Sequence, residues 1–164
     1  MEKWIGMARA EEKEEILQLY QSQIGREYCP WNENYPGMEE IDFDLSRESL
    51  FVMKNEKNKI VAAISIDQDE SVEKLDCWTQ ELLPGGELAR LAVCPKLQNQ
   101  GIAREMIAYG MSVLRERGYK SVHFLVNKTN EKALRSYRHL HFQRVGECWL
   151  YEQPFWCYEK EIKM

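Results

Sequence analysis

The sequence predicts a mixed α/β sheet with helices on both sides. Three observations carry that expectation. A strand, a turn and a helix follow one another from Glu87 to Glu116. A second strand, Ser121–Val126, returns after the helix, and a strand–helix–strand crossover makes it parallel to the strand Glu87–Cys94. Strand pairs that read as hairpins stand before and after this unit, at Leu50–Ile66 and Phe142–Ile162.

Each element has its own signal. Trp4–Ala8 reads as a short first strand. Ala10–Ile24 reads as a helix with Ile16, Leu17, Leu19, Tyr20 and Ile24 on an apolar face. Its first turn holds Glu11, Glu12, Glu14 and Glu15, a favourable placement at the positive end of the helix dipole, and the cluster reads as a solvated helix start. Met38–Ser46 is a second helix with Pro36 near its start and Met38, Ile41 and Leu45 inward. Leu50–Met53 and Lys59–Ile66 read as strands joined by a turn at Asn55–Asn58. Asp67–Leu83 is polar and irregular around Cys77 and Trp78, and reads as an excursion between strands. Pro84, Gly85 and Gly86 punctuate it.

The strand Glu87–Cys94 carries Leu88, Leu91, Ala92, Val93 and Cys94, apolar on both faces as in a fully covered strand. Pro95 ends it, because proline cannot donate to a ladder. In the helix that follows, Ile102, Ala103, Met106, Ile107, Gly110, Val113 and Leu114 fall on one face. Gly118 is a C′ residue. In Ser121–Val126, Val122, Phe124 and Val126 share one face and His123 and Leu125 the other. Asn130–Leu140 is a helix with Ala133, Leu134, Tyr137 and Leu140 inward. The strands Phe142–Leu150 and Phe155–Ile162 close the chain around a turn at Glu152–Pro154.

The turn at Gln98–Ala103 gathers free backbone N–H groups at a helix start, an arrangement that binds anions and phosphate in particular. Gly101 and the small Ala103 let a ligand approach the backbone. A helix start packed closely on a strand explains the same glycine. No Walker lysine or Gly-x-Gly-x-x-Gly is present.

Gln98-x-x-Gly101-x-Ala103, preceded by Leu91-Ala92-Val93-x-Pro95, resembles the acetyl-coenzyme A signature of the GCN5-related N-acetyltransferases (GNAT family). Asn127, Asn130, Ala133, Tyr137 and Phe142 are similar to the family's closing motif, at the expected distance. His141 departs from it, standing where the family usually has glycine. The resemblance implies a central, mostly antiparallel sheet with one splayed parallel strand pair, and acetyl transfer from acetyl-CoA to a primary amine, with coenzyme A as product. It also implies site residues. Leu91 and Val93, with Ala92 between them, would bond the pantetheine arm, and an N–H beside them would polarise the thioester carbonyl. Backbone amides of Gln98, Asn99, Gln100, Gly101, Ile102 and Ala103, next to Arg104, would hold the pyrophosphate. Asn127 and Asn130 would contact the far side of the arm. Tyr137 matches the family's proton donor to the leaving thiolate; periodicity alone makes it a core tyrosine.

The chemistry also needs a base for the amine proton. Glu87 is the first candidate. Strand alternation puts it on the face of Ala89 and Leu91, and a strand-end ion pair is the alternative role. His123 is a weaker candidate base. An acyl-cysteine at Cys94 lacks a paired histidine motif. Arg26–Gly37 is aromatic and irregular, and in the resembled family this connection helps form the acceptor pocket. Trp31, Glu33 and Tyr35 are candidates to hold the amine, by aromatic faces and a carboxylate; Trp31 and Tyr35 would equally pin the loop to the core. A non-catalytic acyl-CoA-binding module would carry the same cofactor motif.

At 164 residues the chain is expected to be one domain throughout. Apolar residues make up 44%, a globular composition. The net charge of −5 and the lack of a basic stripe argue against nucleic acid as a partner. Five cysteines without a C-x-x-C pair argue against a zinc or disulfide framework, and no metal site is expected. A reducing cytoplasm fits best. No signal-peptide core and no spanning apolar run stand in the chain, so no membrane partner is expected. Trp149, Tyr151, Phe155, Trp156 and Tyr158 in the last hairpin would either form a homodimer edge or cover the sheet.

Overall fold

Seven strands and five α-helices make the mixed α/β fold, seen in a computed structural model that describes residues 2–26 and 29–162. The chain divides into two compact units, Met1–Asp67 with Leu88–Gly110, and Gln68–Glu87 with Met111–Met164.

In the first unit, β1 (Lys3–Met7) pairs antiparallel with β2 (Leu50–Asn55), and β2 with β3 (Ile60–Asp67). A 3-10 turn at Ala10–Glu12 leads into α1 (Lys13–Gln21), and α2 is Met38–Ser46. Alternation along β2 divides the core. Leu50 and Val52 join Ile16, Leu19, Tyr20, Ile41, Ala63 and Ala92 on the side of α1 and α2. Phe51 turns the other way, its ring 5.6 Å from Tyr109. Tyr109 belongs to the first turns of α4 (Ile102–Glu116), so this sheet carries helices on both faces. Two of the four glutamates at the start of α1 are not simply solvated. Glu12 is buried and ion-paired with Lys54, and Glu15 Oε2 accepts from the Ile60 N–H at 2.7 Å. Tertiary partners thus claim carboxylates that the local pattern assigns to the helix dipole.

Strand β4 is Gly85–Val93. Its later half lies in the first unit, where the N–H of Cys94 donates to Val61 O of β3 at 2.8 Å. In the second unit, Gly85–Glu87 pair in parallel with Ser121–His123 of β5 (Ser121–Asn127). This is the expected parallel pair. Strand β7 (Gln153–Glu161) runs antiparallel to β5, and β6 (Gln143–Leu150) antiparallel to β7. The β6–β7 turn is the two residues Tyr151 and Glu152, both at positive φ, one step earlier than expected. Gln153 and Pro154 already belong to β7.

Alternation splits the second unit's core as well. On one face Phe124 packs against Tyr137 of α5 (Glu131–His139), at 4.3 Å between ring centres, and against Phe142 and Tyr158. On the other face Cys157 and Leu125 pack with Val72 and Trp78. The last two belong to the segment expected to be irregular. It contains α3 (Glu70–Glu73) and a 3-10 turn at Gln80–Leu82. Trp78 Nε1 donates to Val72 O at 2.8 Å, which folds the segment onto itself as a cover. Of the hairpin aromatics, Trp149 and Tyr151 are exposed and Tyr158 is buried. Trp156 takes Lys128 and Arg144 over its ring at 4.1 and 4.0 Å. Among the described residues, no helix is long and apolar enough to cross a membrane.

Candidate active site

The turn after β4 is built from two left-handed residues. Asn99 has φ 63° and Gly101 φ 80°. A Cβ at Gly101 would touch nothing within 4 Å, so the glycine answers to backbone conformation and not to crowding. From Gly101 the chain enters α4, whose first interior bond runs from Glu105 N to Gly101 O at 3.1 Å. Ile102 is buried and anchors the helix start, while Asn99, Gln100, Ala103 and Arg104 are exposed. Ala103 therefore does not join the inward face assigned to it. It sits at the first turn, where α4 presents N–H groups and the positive end of its dipole.

Gln98 locks this turn to the strand. Its Nε2 donates to Val93 O at 2.9 Å, and Gln23 Nε2 donates to the same oxygen at 2.9 Å. Since the Cys94 N–H points to β3, backbone alternation turns the polar groups of Leu91 and Val93 to the opposite edge of β4. Those are the two residues expected to pair with the cofactor arm.

Side-chain alternation along β4 does not hold. Arg90 sits in the left-handed region at φ 50°. Leu88 faces α4, because a Cβ at Gly110 would meet its Cδ2 at 2.7 Å. Two residues on, Arg90 points instead to Asp44 of α2, and Ala92 joins the α1–α2 core. The phase slips between Leu88 and Arg90, so Glu87 cannot be assigned to the face of Leu91 by counting in twos. Arg90 is buried and binds Asp44 Oδ1 at 2.8 Å and Asp67 Oδ2 at 3.1 Å; its Nη1 also donates to Tyr35 Oη at 3.3 Å. Of the acceptor-loop candidates, Tyr35 is thus tied to β4 by a hydrogen bond. Burial raises its phenol pKa against the opposing pull of Arg90. Trp31 packs edge-on against Tyr20 at 5.5 Å, which is the pinning role. Glu33 is exposed.

In the second unit, Glu87 pairs in register with His123 and both are buried, 6% and 1% exposed. His123 Nε2 lies 3.1 Å from Glu73 Oε1, and the Trp78 ring packs on the imidazole at 4.5 Å. Glu159, opposite His123 on β7, is buried and accepts from Thr79 N and Thr79 Oγ1. Tyr137 is on the other face, among Phe124, Phe142 and Tyr158. Burial pushes its pKa up to about 12, so it carries its proton at neutral pH. Glu87, in register with His123, and Tyr137, packed on the neighbouring Phe124, thus stand on opposite faces of β5.

Asn127 and Asn130 have local duties. Asn127 Oδ1 accepts from Thr129 N at 2.9 Å and its Nδ2 donates to Gln153. Asn130 Oδ1 caps α5 through Ala133 N at 3.1 Å. His141, at the position where the resembled motif has glycine, adopts φ 65° and so keeps the glycine conformation. His141→Gly is expected to stabilise the protein by about 1 kcal/mol, raising the melting temperature by roughly 2–4 °C in thermal denaturation.

Sequence reasoning missed three groupings: the Arg90–Asp44–Asp67 network, the Glu73 partner of His123, and a cluster of Cys77, Cys148 and Cys157. In that cluster Cys77 and Cys148 pack against the buried group of Cys157, Val72 and Trp78, and burial raises all three thiol pKa values. Spacings of nine residues or more between its members carry no local signal.

Fold and motif agree with the comparisons. The Acetyltransferase (GNAT) family model matches residues 13–142, and the chain belongs to this family. A mycothiol acetyltransferase of Thermomonospora curvata is 35% identical over 71 residues, covering 43% of this chain and 24% of that protein. The match thus spans about a quarter of that relative's length. Among solved structures, the ribosomal-protein-S18-alanine N-acetyltransferase of Escherichia coli superposes with a TM-score of 0.73 at 16% identity, over 99% of this chain and 96% of that one. A putative acetyltransferase of Staphylococcus aureus Mu50 gives 0.71 at 22% identity, over 97% and 99%. A chain of the NatC complex bound to Gag peptide and CoA gives 0.74 at 15% identity, over 99% and 100%. These structural likenesses establish the fold.

Proposed function

We propose that this protein transfers the acetyl group of acetyl-CoA to a primary amine by direct attack within a ternary complex. The observation that carries the proposal is the turn after β4. Left-handed Asn99 and Gly101 feed the first turn of α4, where an anion meets unpaired helix N–H groups. The same turn is tied by Gln98 to the strand edge of Leu91 and Val93. Family membership supports acetyl-CoA as the donor.

In this reading the amides of Gln98–Ala103, beside Arg104, hold the pyrophosphate. The Val93 carbonyl already accepts from Gln23 and Gln98, so Val93 would pair with the pantetheine arm through its N–H. Asn127 and Asn130 contribute by shaping the loop into α5. Glu87 takes the amine proton, the amine nitrogen bonds to the acetyl carbon, the carbon–sulfur bond breaks, and Tyr137 protonates the departing thiolate. Trp31, Glu33 and Tyr35 border the acceptor. Candidate acceptors are a small amine, an amino acid, a polyamine, an aminoglycoside-like amine, or a protein N-terminus or lysine. The cytoplasm is the proposed location.

Calorimetric titration with acetyl-CoA and with CoA, followed by thiol release against a panel of amines, tests this. Saturable binding with thiol release for one amine class is the expected result. Binding without turnover on any amine would leave a non-catalytic acyl-CoA module. Absence of binding to both forms would remove the Gln98–Ala103 assignment.

A further inference from the structure

We propose that Glu73, Glu87 and His123 form a binding site for one divalent transition-metal ion, with Zn²⁺ the best fit. One donor atom from each residue lies within 4.8 Å of the other two, the one grouping of this kind among the described residues. Donors about 2.1 Å from a tetrahedral Zn²⁺ stand roughly 3.4 Å apart, so small side-chain rotations bring these three into range. One imidazole and two carboxylates are borderline and hard ligands, a set that suits Zn²⁺ and leaves Mg²⁺ poorly served.

The imidazole is held before any ion arrives. The Trp78 ring packs on it, and residue 85 must lack a side chain, since a Cβ there would come within 2.9 Å of His123 Nδ1. Glu87 and His123 form the buried floor, fixed by the parallel pairing of β4 with β5. Glu73, on α3, has a side chain 43% exposed and provides the solvent side. Three protein ligands with one side open leave room for a water as the fourth. An ion here would engage the carboxylate proposed as the base, so occupancy and amine deprotonation exclude each other. The binding itself is independent of that assignment.

The test is calorimetric titration of the intact protein with Zn²⁺, with Co²⁺ absorption as the spectroscopic probe and no substrate present. One equivalent of Zn²⁺ is expected to bind. Co²⁺ should show ligand-field bands of an N/O site without a thiolate charge-transfer band. Glu73→Gln, at an exposed side chain, should weaken binding by about tenfold or more with the melting temperature kept, and His123→Asn should abolish it. If His123→Asn fails to fold, the Glu73→Gln result decides alone. Three outcomes overturn the proposal: no Zn²⁺ binding at micromolar concentration, binding unchanged in Glu73→Gln, or a thiolate band, which would move the ion to the Cys77–Cys148–Cys157 cluster. Zn²⁺ binding together with no acetyl transfer by the metal-free protein would retain the site and count against the enzymatic reading alone.

Discussion

Tyr137→Phe is expected to lower kcat about 100-fold or more, with the KM for acetyl-CoA little changed. The substitution removes one hydroxyl and keeps the ring that packs on Phe124 at 4.3 Å and near Phe142 at 5.9 Å. Stability should therefore be nearly untouched, and the whole effect should appear in the protonation of the leaving thiolate. Burial gives the phenol a pKa of about 12, which sets the sign of the pH dependence. The donor is protonated at every pH below that value, so Tyr137 itself should contribute no loss of activity between pH 6 and roughly pH 10. Steady-state kinetics across that range checks both points. An unchanged kcat would reduce Tyr137 to a packing residue.

The largest effect on stability is expected at Asp44. Asp44→Ala should destabilise the protein by about 3–5 kcal/mol, a fall in melting temperature of roughly 10 °C. Its carboxylate is 0% exposed. It accepts from Arg90 Nη2 at 2.8 Å, Arg47 Nη2 at 2.6 Å and Ser65 Oγ at 2.7 Å. Removing it leaves the buried Arg90 guanidinium with Asp67 as its carboxylate partner among the described residues. The cost is that of buried guanidinium charge left only partly compensated, larger than the pair's own contribution. Asp44→Leu combined with Arg90→Leu should consequently recover a good part of the loss, which chemical denaturation of the single and double variants would measure. Arg90 also sets the backbone just before Leu91 and Val93, so the KM for acetyl-CoA should rise in Asp44→Ala. A small stability change would mean that Arg47 and Arg90 repair with other groups.

The sequence by itself determined those features whose signals are local. Met38–Ser46 forms a helix within its expected bounds, because its apolar spacing and the nearby Pro36 act within a few residues. The turn at Asn55–Asn58, with Asn58 at φ 61°, and the helix end at Gly118, with φ 89°, are written in the residues that adopt them. The turn at Gln98–Ala103 was legible for the same reason, and two motifs in order were enough to indicate the family.

Tertiary structure decided the rest. Helical spacing put Tyr137 on an inward face, but only the β4–β5 register, with Glu87 opposite His123 and Tyr137 packed on the neighbouring Phe124, shows that Glu87 and Tyr137 occupy opposite faces. Strand alternation failed at Arg90, because a buried ion pair with a helix some 46 residues earlier outweighs the cost of a left-handed backbone. His141 holds the same kind of conformation without glycine, where the end of α5 is closed by Phe142 N donating to Tyr137 O at 3.1 Å. Glu73 and His123, 50 residues apart, meet because an excursion that looked irregular folds over β5 and pins itself through Trp78. Residues far apart in the chain leave no periodic trace of their contact. Their partners are chosen by burial, which removes water and makes an unpaired charged or polar group costly.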